Sequence, residues 1–116
     1  MILSLPYPPS NNRYYRHNRG RIHVSPEGLA YRLRVLEKRP RMGWPMDGPL
    51  RMEIIVFPNR SVSQDLDNIP KCICDALQYA GIYRDDNQIE DLSVRRMPKD
   101  AKARVVVTIE PVKPCA

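Results

Sequence analysis

The sequence predicts an α+β fold: a small mixed β-sheet with two helices packed on it, in the order β–loop–α–β–α–β–β. Two observations support this prediction. Four short apolar segments have the length and composition of strands, and two longer segments repeat apolar residues at helical spacing. A chain of 116 residues can bury one core, and we expect residues 1–116 to form a single domain.

The first strand is predicted at Ile2 to Pro6, and a long loop is predicted from there to Arg21. Loops of this length in compact domains are usually functional or disordered. Arginines here alternate with aromatic side chains, and arginines bind phosphates while tyrosines stack on bases. An alternative is a mobile loop with a tyrosine in the core. The candidate nucleic-acid contacts are Arg13, Tyr14, Arg16, Arg19 and Arg21.

The first helix is predicted to begin at Ser25, a good N-cap followed by Pro26, and to end before Pro40. Its expected core face consists of Leu29, Leu33 and Leu36.

A strand is predicted at residues 50–57, and a second helix begins near Asp65 or Asp67 and ends at Gly81. The expected apolar stripe of this helix consists of Ile69, Ile73, Ala76, Leu77 and Ala80. Residues 89–97 and 104–109 are predicted to be strands that form a hairpin, and residues 111–116 a tail.

The net charge of +6 is concentrated in the first half of the chain. Residues 1–51 hold ten Lys+Arg against three acids, whereas residues 52–116 hold nine against ten. This distribution predicts a surface for a polyanion in the first half and an acidic site in the second. No apolar run is long enough to span a membrane and no signal peptide is evident, so we expect a cytoplasmic protein.

The three cysteines, Cys72, Cys74 and Cys115, do not form a zinc motif. Cys72 and Cys74 are two residues apart on a predicted helix and point to different faces. We therefore expect the cysteines to be structural or incidental.

The acidic block D-L-D-N-I-P-K at residues 65–71 is the main candidate site, and Asp85-Asp86 follows it just past Gly81. Close carboxylates repel each other, and a divalent cation removes the conflict. Oxygen ligands suit Mg²⁺ or Mn²⁺ rather than zinc. Two alternatives remain at this point: one Asp of the block is a helix N-cap, and residues 85–87 are a turn.

Five segments together resemble the RusA family of small bacterial and prophage Holliday junction resolvases. They are L-P-Y-P-P-S-N-N-R-Y-Y-R at 5–16, D-L-D-N-I-P-K at 65–71, D-A-L at 75–77, Gly81, and D-D-N-Q-I at 85–89. The combination of D-L-D-N-x-x-K with G-x-x-x-D-D is specific, although either part alone is weak. The resemblance implies a Mg²⁺-dependent, homodimeric endonuclease that acts on four-way DNA junctions in recombination and repair.

The resemblance also implies roles for particular residues. Asp65, Asp67 and Asp86 match the catalytic, metal-binding acids of the family, and Lys71 matches its catalytic lysine. Family members often carry a basic run before the acidic block, but residues 59–64 contain only Arg60, which we include among the DNA contacts. This departure concerns the grip on DNA and leaves the metal ligands unchanged.

Two other functions remain open on the sequence: a branched-DNA-binding module with weak or no catalysis, and a phosphate-handling enzyme that uses the same acids. The second would not need so basic a loop. Paired cuts need two acidic sites, and the chain has one acidic cluster and no internal repeat. We therefore expect a homodimer, joined through an exposed edge of the strands at 50–57 and 104–109.

Overall fold

The structure is a computed structural model that describes residues 1–41, 43–59 and 66–112. Along the chain the elements are β1 (Ile2–Pro6), α1 (Asn11–Tyr14), β2 (Tyr15–Asn18), β3 (Arg21–Val24), α2 (Pro26–Glu37), β4 (Leu50–Phe57), α3 (Pro70–Tyr79), β5 (Ile89–Arg96) and β6 (Arg104–Pro111). Two short 3-10 helices, Leu66–Asn68 and Asp86–Gln88, flank α3. No helix among these residues is long and apolar enough to cross a membrane.

The main sheet has four strands in the order β1-β6-β4-β5. β4 and β5 are parallel, whereas β6 is antiparallel to both β1 and β4. The predicted α+β class with a mixed sheet is therefore confirmed. Alternate residues of β1, β4 and β6 are buried, together with side chains of both long helices, in one core cluster.

The predicted hairpin between the last two strands is wrong, because β4 lies between β5 and β6. The connection between them crosses the end of β4, where Met97 N donates to Val56 O and Asp100 N donates to Pro58 O, both at 2.8 Å. β4 and β6 are paired on both sides, so the expected dimer edge on these two strands is also wrong. The free edges of the sheet belong to β1 and β5.

The segment predicted as a loop up to Arg21 contains α1, β2 and the start of β3. β2 and β3 form a separate antiparallel hairpin with the register Tyr15↔Val24 to Asn18↔Arg21. Arg19 and Gly20 both have positive φ, 51° and 77°, which closes a tight two-residue turn. The sequence pattern hides this hairpin because most of its side chains, on both faces, are exposed and polar.

Helix α3 has the predicted apolar stripe. Its stripe residues are Ile69, Ile73, Ala76, Leu77 and Ala80, all buried. Pro70 is the first residue of the helix, where no intrahelical hydrogen bond is lost, and Gly81 follows with φ 77°. The prediction for this helix is confirmed apart from its start, because residues 66–68 form a 3-10 turn before it.

Helix α2 begins as predicted, with Ser25 Oγ accepting a hydrogen bond from Gly28 N at 3.0 Å, but it buries a different face. The predicted core leucines are exposed at 47%, 53% and 37%, and the buried residues are Gly28, Tyr31 and Val35. Gly28 explains the orientation. A Cβ at this position would lie 2.5 Å from Tyr14 O, so only glycine lets the two backbones approach this closely.

Candidate active site

The acidic block lies on the connection between the parallel strands β4 and β5. Asp67, in the 3-10 turn before α3, is exposed. Asn68 is held by a residue from the N-terminal part of the chain, because Asn11 Nδ2 donates to Asn68 Oδ1 at 3.2 Å. The turn contacts both α3 and β5, so Asp67 is fixed where the crossover leaves the sheet. Asp65 and Arg60, also predicted as site residues, lie outside the described residues.

Asp67 does not cap the helix that follows it. The N-cap of α3 is Ile69, and no side chain caps that end. Within residues 1–41, 43–59 and 66–112, the Asp67 carboxylate has no hydrogen-bond or ion-pair partner. A solvent-facing carboxylate that caps no helix and has no partner in the described part of the chain can serve as a ligand for a metal ion.

Lys71 lies in the first turn of α3, one turn after Asp67, and its side chain is exposed. Its ammonium lies 4.7 Å from the centroid of the Tyr15 ring. This distance is within the range of a cation–π contact. The side chain therefore has a defined position next to the start of the β2–β3 hairpin.

Asp85 and Asp86 have different surroundings. Asp85 is the N-cap of the 3-10 helix Asp86–Gln88: its Oδ1 accepts from Asn87 N at 2.9 Å, and Gln88 completes a capping box. Asp86 is placed by its backbone, since its N–H donates to Gln78 Oε1 on α3 at 3.0 Å. The turn interpretation thus applies to Asp85, and the carboxylate of Asp86 caps nothing in this motif.

Asp86 is held in an environment that disfavours its charge. Partial burial, followed by the contact with Asp85, raises the pKa of the Asp86 carboxyl. Asp86 also contributes to the raised pKa of the Tyr15 phenol, so it lies in the same electrostatic neighbourhood as the ring beneath Lys71. A bound cation would relieve this penalty, which suits Asp86 to be a metal ligand.

The predicted metal site has three members, two of which lie in the described part of the chain. Across that part, no three His, Cys, Asp or Glu side chains converge into a metal-binding group. The donor set of Asp67 and Asp86 nevertheless consists only of carboxylate oxygens, which suits a hard divalent cation. Zinc is a poor fit nearby, because burial raises the pKa of Cys72 to about 12 and that of Cys74 to about 11.

The predicted nucleic-acid contacts divide into exposed arginines and one buried tyrosine. Arg13, Arg16, Arg19 and Arg21 are all exposed. Tyr14 is fully buried, and its hydroxyl donates to Asp75 Oδ2, so the prediction that it stacks on a base is wrong. The ring belongs to the core because α1 turns it inwards against α2. The alternative placed Tyr14 or Tyr15 of a mobile loop in the core; its core tyrosine is confirmed as Tyr14, but the segment forms α1 and β2 and is not a loop.

The exposed arginines lie mainly on the projecting β2–β3 hairpin. The register of the hairpin places Arg16 opposite His23 and Asn18 opposite Arg21, so these four side chains share one face. Arg19 lies at the tip. A narrow, basic, two-stranded ribbon of this kind fits the groove of a nucleic acid.

An ion-pair network that the sequence did not reveal joins α1 and α2 to α3. Asp75 Oδ2 accepts from Arg32 Nη2 at 2.8 Å and from Arg32 Nε at 3.0 Å, in addition to Tyr14. Asp75 is four residues after Lys71 on the same helix, and it begins the D-A-L segment of the family resemblance; these two signals relate it to the site. The contact of Tyr15 with Lys71 has no such signal, because it depends on tertiary packing.

Exposed carboxylates and a lysine on one crossover, together with a basic ribbon, are the features expected of a protein that acts on the phosphates of a nucleic acid. The family model for endodeoxyribonuclease RusA matches residues 6–110. The chain belongs to the RusA family.

Curated relatives cover nearly the whole chain. Crossover junction endodeoxyribonuclease RusA of Escherichia coli K12 is 44% identical over 109 residues, which is 92% of this chain and 91% of the relative. The protein of the same name from Enterobacteria phage 82 is 46% identical over 112 residues, with the same coverage. The Shigella sonnei protein is 43% identical over 109 residues.

Proposed function

We propose that this chain is a crossover junction endodeoxyribonuclease that resolves Holliday junctions in DNA recombination and repair. It hydrolyses one phosphodiester in each of two opposed strands. The observation that carries this proposal is the exposed Asp67 without a capping task, on the same short crossover as Lys71 and Asp86. The relatives that match 92% of the chain carry the same activity in their names.

We assign the metal site to Asp65, Asp67 and Asp86, with Mg²⁺ as the ion and Mn²⁺ as an alternative. When bound there, the ion supplies Lewis-acid polarisation of the phosphodiester and an activated water. The role of Asp65 rests on its match to the family motif. Asp67 and Asp86 provide oxygen ligands, and a bound cation would offset the partial burial and the contact with Asp85 that raise the pKa of Asp86.

We assign to Lys71 the role of stabilising the negative charge that develops on the scissile phosphate. Its ammonium carries three donors, and positive charge aimed at such a transition state lowers the barrier. The DNA grip is assigned to Arg13, Arg16, Arg19 and Arg21, with Arg60 as a further contact outside the described residues. The basic hairpin face would run along the phosphates of one duplex arm, and its arginines pair bidentately with phosphate oxygens.

The working unit in this proposal is a homodimer in which residues 1–116 form one nuclease domain per subunit. Two-fold symmetry then presents two equivalent sites to two opposed strands of the junction. The relatives come from bacteria and a phage, and we place the reaction in the bacterial cytoplasm, where their DNA recombines.

The experiment is a cleavage assay on a synthetic four-way junction with each strand labelled in turn. We expect paired, ligatable nicks in Mg²⁺ and none in EDTA. The Asp67→Asn variant should bind the junction and leave it uncut. Binding without cleavage by the unmodified protein in Mg²⁺ or Mn²⁺ would instead indicate a branched-DNA-binding module, and equal cleavage of linear duplex would contradict junction selectivity.

A further inference from the structure

Two adjacent tyrosines at the boundary of α1 and β2 have different environments. Tyr14 is fully buried, while Tyr15 is half-buried beside it, with ring centroids 4.7 Å apart and planes at 61°. This edge-to-face arrangement is favourable for aromatic pairs. The buried ring therefore fixes the orientation of the ring that faces the surface.

The face of Tyr15 is the contact surface for Lys71. The ammonium of Lys71 lies 4.7 Å from the ring centroid, and Lys71 makes no ion pair with any acid of the described ranges. Lysine has a flexible stem, so an exposed lysine without a partner would sample many positions. Here the contact with the Tyr15 ring restricts the positions of the Lys71 ammonium.

The ring remains neutral under working conditions. Burial, followed by the charge of Asp75, raises the pKa of the Tyr15 phenol to about 12. Near neutral pH the residue therefore offers Lys71 only the negative face of its aromatic ring.

The tyrosine pair is anchored back to the helix that carries Lys71. Tyr14 Oη donates to Asp75, which pairs with Arg32 at 2.8 Å, and Asp75 is one turn after Lys71 on α3. The chain of contacts from Lys71 through Tyr15, Tyr14 and Asp75 thus returns to its own helix. A closed loop of contacts fixes the position of each member better than a single contact does.

We propose that Tyr15 is a positioning residue for Lys71: its ring holds the ammonium where the scissile phosphate is bound, and Tyr14 with Asp75 fixes that ring. The inference rests on the proposed catalytic role of Lys71. A pre-positioned cation needs no reorganisation when charge develops on the phosphate, so loss of the ring should reduce turnover more than DNA affinity.

The test measures single-turnover cleavage of the four-way junction, and separately its binding, for Tyr15→Phe and Tyr15→Leu with Lys71 or Lys71→Ala. Tyr15→Phe keeps the ring and should cleave at the unmodified rate. Tyr15→Leu should lower the cleavage rate about 5- to 30-fold, the equivalent of one cation–π contact, with binding unchanged. With Lys71→Ala, the same change should have no further effect.

Phe57→Leu is the matched control. Phe57 also lies under a cation, with the Arg104 guanidinium 4.1 Å from its centroid, and it lies on β4 outside the contacts of Tyr14, Tyr15 and Asp75. This variant should cleave normally. Thermal unfolding monitors the fold, and Tyr15→Met serves as the non-aromatic variant if Tyr15→Leu fails to fold.

The outcomes separate the two proposals. If Lys71→Ala cleaves at the unmodified rate, the role of Lys71 is wrong and the inference falls with it. If Lys71→Ala is impaired but Tyr15→Leu is not, or if the two effects simply multiply, only the positioning role is overturned. Equal losses in Tyr15→Phe and Tyr15→Leu would also overturn it, because the hydroxyl would then be the important group.

Discussion

Asp85 and Asp86 are neighbours in the sequence whose carboxylates have different tasks. The carboxylate of Asp85 accepts from Asn87 N, and that of Asp86 does not cap the turn. We expect Asp86→Asn to abolish junction cleavage with binding intact or tighter, since a ligand charge is lost and repulsion of DNA is reduced. Asp85→Asn keeps a capping oxygen and should retain most cleavage.

The labelled four-way junction assay, run beside a gel-shift titration, separates these expectations. Near-normal cleavage by Asp86→Asn would remove it from the metal site, and complete loss in Asp85→Asn would mean that the cap is not its main role.

Several buried groups stay protonated to higher pH in the folded chain than in the unfolded chain, so the stability of the fold decreases at high pH. Burial raises the pKa of the Tyr31 and Tyr83 phenols, and that of the Cys72 thiol to about 12. The unfolded chain loses these protons first, from about pH 9 for the thiol and pH 10 for the phenols. Stability is therefore full below these values and falls above them, by about 1.4 kcal/mol per pH unit for each group.

Urea unfolding at pH 8, 9, 10 and 10.5 measures this fall. Tyr83→Phe removes one titrating group and should lose less stability between pH 10 and 10.5 than the unmodified chain. An identical fall in both proteins would show that Tyr83 ionises freely in the folded state.

Among the elements, the β2–β3 hairpin is the proposed DNA grip. Replacement of Arg16, Arg19 and Arg21 by alanine should reduce the slope of log K against log salt by roughly 0.9 for each lost phosphate contact on duplex arms. Arg51→Ala is a suitable control, because Arg51 lies on the sheet and pairs with Asp91 at 3.0 Å. A slope that is unchanged in the triple variant would mean that the hairpin is not on the DNA.

Helix α2 depends on the close approach at Gly28. Gly28→Ala places a methyl group 2.5 Å from Tyr14 O, and the resulting shifts should cost about 1–3 kcal/mol, partly offset by roughly 1 kcal/mol of better helix propensity. Ala30→Gly on the exposed side of the same helix gives the propensity difference alone. Urea unfolding compares the two. A Gly28→Ala variant that is more stable than the unmodified chain would contradict the close approach.

The two long helices show which parts of the fold the sequence could predict. In α3 every turn contributes buried residues to the same face and no glycine interrupts them, so the periodicity indicated the correct face. In α2 the leucines had the stronger pattern, but one glycine decides which face can approach α1. The predicted pairing of the last two strands failed because the local pattern of a strand does not indicate which neighbour it pairs with. In the structure, β6 lies between β1 and β4.

The sequence indicated the chemistry of the candidate site, but it indicated few of the contacts that position its residues. Residue type and spacing indicated the acidic block and the Asp85-Asp86 pair as a candidate site, and the resemblance to the RusA family singled out Asp67, Lys71 and Asp86. The contacts that place them come from distant parts of the chain: Tyr15 lies 56 positions before Lys71, and Asn11 lies 57 before Asn68. Such contacts have no local periodicity, so only the folded chain reveals them.

On the scale of the whole molecule, the exposed leucine stripe of α2 is the best candidate for the dimer contact. Leu29, Leu33 and Leu36 form an apolar row on one helix, and the proposed paired cuts require a second copy of the chain. Leu33→Glu should give a monomer that nicks one strand per encounter. Leu92→Glu tests the free edge at β5, where Leu92 is 44% exposed, and should remain dimeric.

Sedimentation at micromolar concentration without DNA measures the state of each variant. If Leu92→Glu is the monomeric variant, the dimer forms through the sheet edge. A monomeric unmodified chain that still cuts both strands within one binding event would contradict the dimer altogether.

The projecting hairpin has a further consequence for how this enzyme can evolve. Among the residues that the structure describes, its two strands pair only with each other, so substitutions between Arg16 and His23 disturb little of the core. The crossover with Asp67, Lys71 and Asp86 includes helix α3, which packs into the core, and it tolerates far less change. With the DNA contacts and metal ligands as proposed, substrate preference can drift by surface mutation in the hairpin while the proposed metal ligands and Lys71 are inherited unaltered.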